Sequence, residues 1–191
     1  QRTTPDDIIP EDAVLLCTWR EVHGAFGDFH IQNGDKMLVF GCGPVGLSFV
    51  KFARLLGIEW IGAVDPLEPK RALAREFGAD ATYAPDEDAL TGLQDLDVVI
   101  DAVGRESIVN AALPLIKMGG AVGVYGVLAE EEIRLSKGKG PYNFNLCVHQ
   151  WPTRHRERVA QQPLCEWLRQ GKLKPEDFIT HEFPVEQITN A

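Results

Sequence analysis

The spacing of apolar residues changes period at Gly41. Before it, Lys36-Met37-Leu38-Val39-Phe40 is a short, mostly apolar run that stops at glycine, the pattern of a buried strand. After it, apolar residues fall at 45, 49, 52, 53 and 56, which is the helical period. Pro44 suits the first helical turn, where the N–H it lacks would have no intrahelical partner, and Gly57 suits the C-terminal cap. The prediction is strand, tight turn, helix. A second buried strand, Trp60-Ile61-Gly62-Ala63-Val64, is closed by Asp65, and Pro69 opens a helix through about Phe77 that Gly78 stops. These elements complete one βαβ unit.

The alternation continues. A short strand at Ala81-Thr82-Tyr83 is followed by a polar helix around Asp86 to Leu90 and the apolar strand Asp97-Val98-Val99-Ile100-Asp101. A helix from about Ser107 to Lys117, a Gly119-Gly120 turn and the strand Ala121 to Tyr125 come next. Residues 143–151 read as a sixth strand, Arg154 to Arg169 as a helix capped by Gly171, and 172–191 as loop and partial strand. Strands alternating with helices at this spacing require crossover connections, hence a parallel sheet. The expected fold is α/β, a doubly wound Rossmann sheet of six parallel strands in the order 3-2-1-4-5-6.

Composition narrows the function classes. With 191 residues, of which 45% are hydrophobic, the chain can bury one good core with short appendages. A net charge of -9 gives no Coulomb gain on nucleic acid or an anionic lipid surface. No apolar run approaches the roughly 20 residues of a membrane span, and the start, Gln1-Arg2-Thr3-Thr4-Pro5, has no signal-like stretch. A cytoplasmic protein without nucleic-acid or membrane partners is expected. Cys17, Cys42, Cys147 and Cys165 show no CxxC pair, so neither a disulfide framework nor a self-contained zinc site is indicated. The histidines show no HxxxH or HExxH spacing. The chain starts without methionine and ends on Ile188-Thr189-Asn190-Ala191, which predicts a piece of a longer protein.

Candidate chemistry concentrates in Gly41-Cys42-Gly43-Pro44-Val45-Gly46. Gly41 permits a sharp exit from the strand, Gly43 leaves room for a pyrophosphate to approach the backbone, and Gly46 lets the helix sit close on the sheet. The helix starting at Pro44 and Val45 offers unpaired N–H groups and a positive dipole end to phosphates. Asp65, followed by Pro66, lies 19 residues after Gly46 at the end of the second strand. There a carboxylate accepts hydrogen bonds from the adenosine ribose hydroxyls and repels a 2′-phosphate, which favours NAD over NADP. Cys42 reads as a small residue lining the turn.

The stretches "GDKMLVFGCGPVGLSFVKFARLLG" and "VDPLEPKRALAREFGADATYA", with "DVVIDAVG", "LIKMGGAVGVYGV" and "GKLKPEDFITHEFPVEQITNA" further on, resemble the cofactor domain of the medium-chain, zinc-dependent alcohol and polyol dehydrogenases. The resemblance covers about residues 5 to 191. It implies that Val103 and Gly104 line the adenosine side of the crevice, that Gly126 and Val127 flank the nicotinamide, and that Lys70 reaches the adenosine ribose. Cys17 matches a cysteine that some members use as a catalytic zinc ligand, although Trp19, Arg20 and Glu21 depart from the small residues usual after it. A buried small residue is the plainer reading of Cys17. Zinc would require three protein ligands, the others coming from the full-length protein.

The resemblance further implies a lead-in segment and helix at 1–34, an NAD-binding core at 35–170, and a segment at 171–191 leading back to a catalytic domain. No catalytic residue is expected in this chain. The implied activity is hydride transfer between a secondary alcohol or polyol and NAD, zinc-assisted in the full-length protein. A zinc-independent quinone or enoyl reductase and a non-catalytic NAD(H)-sensing module stay open. Strand 143–151 resembles the edge through which many members pair into homodimers. Cys147 and His149 would share one face of that strand as packing residues, and Arg154, His155, Arg156 and Arg158 would form a solvated helix start.

Overall fold

The computed structural model describes residues 4–129, 131–151 and 153–190. Its centre is a six-stranded parallel sheet in the order β3-β2-β1-β4-β5-β6, as expected. The strands are β1 (Lys36–Phe40), β2 (Trp60–Val64), β3 (Ala81–Tyr83), β4 (Leu96–Asp101), β5 (Ile116–Val124) and β6 (Asn145–Val148). The helices are α1 (Pro10–Ala13), α2 (Leu16–Asp28), α3 (Pro44–Leu56), α4 (Glu68–Glu76), α5 (Glu87–Leu90), α6 (Glu106–Ala112) and α7 (Arg154–Arg169).

Strand alternation divides the core. Met37 and Val39 face the layer built by α2, α3 and α7, whereas Leu38 and Phe40 face the layer containing α6. A strand buried on both faces must be apolar throughout, hence the continuous run Met37 to Phe40. Helix α3 begins with Pro44 in its first turn and ends at Gly57, whose φ of +80° lets the Ile58 N–H return to the Ala53 carbonyl at 3.0 Å.

Three expectations about secondary structure need correction. The helix expected over Ser107 to Lys117 spans Glu106–Ala112. Leu113 still holds helical φ and ψ, but Pro114 has no N–H to continue the ladder. Gly119 and Gly120 do not form a turn ahead of the next strand; they lie inside β5, where the register against β4 jumps from Leu96↔Ile116 to Val98↔Ala121. Gly119 has φ +79°, and a Cβ at Gly120 would press on three carbonyl oxygens at 3.0 to 3.1 Å, so the glycine pair makes an irregularity within the strand. The tail holds short 3₁₀ turns at Pro175–Asp177 and Val185–Asn190, with no strand among its described residues. Phe178 packs on Trp19 and Phe77 in the helical layer, at centroid distances of 5.2 and 4.9 Å, which holds that part of the tail away from the sheet edges.

Helices α2 and α7 pack closely because Gly24 and Gly27 make a groove that receives Arg156. The Arg156 Nε lies 2.6 Å from Asp28 Oδ1. Arg156 is therefore not part of a solvated helix start. The other Asp28 oxygen, Oδ2, accepts the Thr153 hydroxyl at 2.8 Å and lies 2.9 Å from His149 Nδ1. This carboxylate ties the end of α2 to the end of β6 and the start of α7.

Candidate cofactor site

Strands β1 and β4 are neighbours whose crossover helices leave in opposite directions, so a crevice opens at their carboxyl ends. A cleft of ≈ 600 Å³ occupies it. The chain brings Gly41, Gly43, Asp65, Pro66, Lys70 and Val103 together on its walls, all of them picked out in the sequence. Phe40, Val64, Leu67, Leu90 and Ile108 add apolar surface suited to a flat aromatic ring.

Each turn glycine has a different job. Gly41 takes φ +96°, and its N–H bonds to Val64 O at 2.8 Å. A Cβ on Gly46 would overlap the Gly41 carbonyl oxygen, so helix and turn touch through bare backbone. A Cβ on Gly43 would meet nothing within 4 Å, which is the condition for a ligand to approach there. Pro44 and Val45 begin α3 beside it. No protein acceptor meets the Val45 or Gly46 N–H among the described residues, as expected of a helix start.

Asp65 is 5% exposed. Its Oδ2 accepts the Cys42 N–H at 2.8 Å and its Oδ1 the Leu67 N–H at 2.9 Å, each oxygen keeping capacity for a further donor. Cys42 is buried, and burial followed by the Asp65 charge pushes its thiol pKa up to about 12. A thiol held protonated is no nucleophile. Lys70 is exposed on α4 at the cleft rim.

Sequence reasoning missed Asp101. It ends β4, is 1% exposed, and accepts the N–H groups of Val103 (2.9 Å), Gly104 (2.8 Å) and Arg105 (3.0 Å). Its carbonyl takes the Tyr125 and Gly126 N–H groups, both at 2.9 Å. The signal was an acidic residue closing an apolar strand, the same signal read at Asp65. Gly104 has φ +88°, and a Cβ on it would overlap Val127 O, so the loops after β4 and β5 meet as backbone on backbone. Gly126 and Val127 stand beside the main cleft rather than on its walls, as do Pro44, Val45, Gly46 and Gly104.

Cys17 is exposed on α2. Among the described residues no three His, Cys, Asp or Glu side chains converge on a metal position. Of the residues after it, Trp19 is core, 1% exposed against Phe52 and Phe178, and Arg20 bonds the Leu16 carbonyl and Gln161. Glu21 is half-buried, and burial and then Glu157 push its carboxyl pKa up. Burial, followed by the charge of Glu21, pushes the Tyr125 pKa up as well. Cys147 is half-buried, and His149 is buried, stacked on Tyr125 at 5.2 Å.

The family profile described as zinc-binding dehydrogenase matches residues 44–148, more than half of the chain. The chain belongs to that family. Its relatives include the S-(hydroxymethyl)glutathione dehydrogenase of Saccharomyces cerevisiae, 32% identical over 85% of this chain and 45% of the relative. An alcohol dehydrogenase of Cupriavidus necator is 28% identical over 97% of this chain and 53% of its own length. The D-xylulose reductase of Saccharomyces cerevisiae is 28% identical over 98% and 54%. The chain thus spans about half the length of the curated relatives it matches. Among solved structures, an Escherichia coli short chain alcohol dehydrogenase complexed with NADH superposes with a TM-score of 0.83 at 22% identity, covering 99% of this chain and 56% of that one. An alcohol dehydrogenase from Thermus sp. ATN1 gives 0.80 at 23% identity, over 99% and 56%. At these identities the likeness is one of fold. No helix among the described residues is long and apolar enough to cross a membrane.

Proposed function

We propose that this chain is the NAD(H)-binding part of a dehydrogenase that moves hydride between a secondary alcohol or polyol and NAD, with zinc assisting in the whole protein. The observation that carries the reading is the convergence of the glycine turn, Asp65 and Val103 on one apolar cleft, with the Gly43 Cβ direction open. The names of the relatives and the NADH held by a neighbour of the same fold support it.

The residues divide the work by chemistry. The N–H groups of Val45 and Gly46 and the positive end of α3 hold the pyrophosphate. Asp65 takes the ribose hydroxyls, and its charge inside the turn disfavours a 2′-phosphate despite Lys70 at the rim. Pro66, Val103 and Gly104 bound the adenosine, and Gly126 and Val127 flank the nicotinamide, which supplies the hydride chemistry when bound. Cys17 would contribute one thiolate of a zinc site completed by the rest of the protein; zinc there would polarise the alcohol oxygen. The open edge of β6, with Val148 54% exposed and Trp151, just past the strand, 79% exposed, would pair with a second copy of the chain.

Titration of the chain with NADH and NADPH, followed by nicotinamide fluorescence, tests the reading. NADH should bind more tightly than NADPH. Failure of both to bind would overturn it.

A further inference from the structure

The pairing of β5 with β6 ends at Val124↔Val148, with one more bond from the His149 N–H to the Val124 carbonyl at 2.8 Å. Past that point the two backbones no longer pair, yet the connection continues through a side chain. The Gln150 Nε2 donates to the Gly126 carbonyl at 2.9 Å, and its Oε1 accepts the Leu128 N–H at 3.2 Å. One partner can only accept and the other can only donate, so the amide has a single orientation. Gln150 is an exposed residue, and ordering a free glutamine there would cost side-chain entropy with no return. Using both ends of the amide on residues 126 and 128 offsets that cost and copies the missing rung of the ladder.

The consequence falls on one peptide unit. In a planar trans peptide the C=O and the following N–H point in opposite directions. With the Gly126 C=O held by Gln150, the Val127 N–H turns away from β6. It meets no acceptor among the described residues, and Val127 is 76% exposed. The Gly126 N–H is meanwhile fixed on the Asp101 carbonyl. Both faces of the turn after β5 are therefore hydrogen-bonded, one to backbone and the other, among the described residues, to Gln150.

We propose that Gln150 is a positioning residue for the nicotinamide half of the cofactor: its amide fixes the Gly126–Val127 peptide so that the Val127 N–H stays open to a ligand acceptor. The carboxamide oxygen of a nicotinamide is such an acceptor. This rests on the reading above that Gly126 and Val127 flank the nicotinamide. The adenosine half has its own support, because Val103 and Gly104 are held by the Asp101 carboxylate.

The test compares NADH with ADP-ribose, which lacks only the nicotinamide, on the 191-residue chain and two variants. Gln150→Ala removes both bonds. Gln150→Glu keeps the shape and the acceptor for Leu128, but sets a carboxylate oxygen against the Gly126 carbonyl. Both variants should bind NADH roughly 5- to 10-fold more weakly, the range expected from losing one ordinary hydrogen bond. ADP-ribose should bind within about twofold of the wild type, which also shows that the variants are folded. The fluorescence gain of bound NADH should drop in both, since a loosened nicotinamide is less shielded. Equal weakening of NADH and ADP-ribose, or no weakening of either, would overturn the proposal while leaving the cofactor reading intact. A wild-type chain that binds neither probe overturns both.

Discussion

The Cys42 N–H and the Asp65 carboxylate are joined at 2.8 Å across the ends of β1 and β2. The acidic residue taken as the ribose partner is thus also a brace inside the glycine turn, and its other oxygen caps the Leu67 N–H. Asp65→Ser strands the buried Cys42 N–H and the half-buried Leu67 N–H. A loss of about 2–4 kcal/mol in stability is expected, given what charge-assisted bonds to buried N–H groups are worth. NADH affinity should fall and the NADPH-to-NADH affinity ratio should rise. Urea denaturation with paired titrations measures both, and a Ser variant of unchanged stability would show that the turn stands without the carboxylate.

Gly43 and Gly46 are three residues apart in one turn, yet alanine should act on them in opposite ways. At Gly46 the added methyl overlaps the Gly41 carbonyl, so α3 must move off the sheet. Gly46→Ala should lower stability by about 2–3 kcal/mol. At Gly43 the methyl meets no protein atom and φ is -73°, so the backbone accepts it. Gly43→Ala should cost only about 0.5–1 kcal/mol, as for alanine at a helix N-cap. Its methyl enters the space assigned to pyrophosphate, and NADH affinity should fall by roughly tenfold or more. Calorimetric melting and NADH titration separate the two effects. If Gly43→Ala bound NADH as the wild type does, the phosphate would have to lie elsewhere.

Much of this was legible because it is local. The change of period at Gly41, the proline and glycine that bracket α3, and the apolar strands that close on Asp65 and Asp101 are all contiguous signals. The order of the strands then follows from the alternation and the handedness of parallel crossovers. What escaped is carried by partners distant in sequence. Asp101 looked like the last residue of a strand until its three backbone donors were in place. Arg156 looked solvated because nothing local shows that Gly24 and Gly27 make room for it. Gly119-Gly120 reads as a turn unless the register against β4 is known. Gln150 carries no local signal, since its meaning depends on where Gly126 and Leu128 arrive.

His23 gives the molecule an acid-sensitive point away from the cleft. It lies on α2 among Phe52 and Trp167, at centroid distances of 6.3 and 5.7 Å, and among the described residues its buried Nε2 has no hydrogen-bond partner. Burial holds its pKa below the ordinary 6.5. The unfolded chain therefore takes up the proton first. Above about pH 6.5 both states hold a neutral imidazole and the fold keeps its full stability; as pH falls toward the depressed folded pKa, that contribution is lost. Two positions along the same helix, Glu21 works in the opposite sense. Its pKa is raised above 4.5, so its contribution is complete below the unfolded value and is lost as pH rises through the folded one. His23→Phe should flatten the decline of the melting temperature between pH 7 and 5, and Glu21→Gln should raise the melting temperature at pH 7 with a gain that vanishes below about pH 4.5. Thermal melts across that range check both. A His23→Phe curve parallel to the wild type would mean that the proton taken up on acid unfolding belongs to another group.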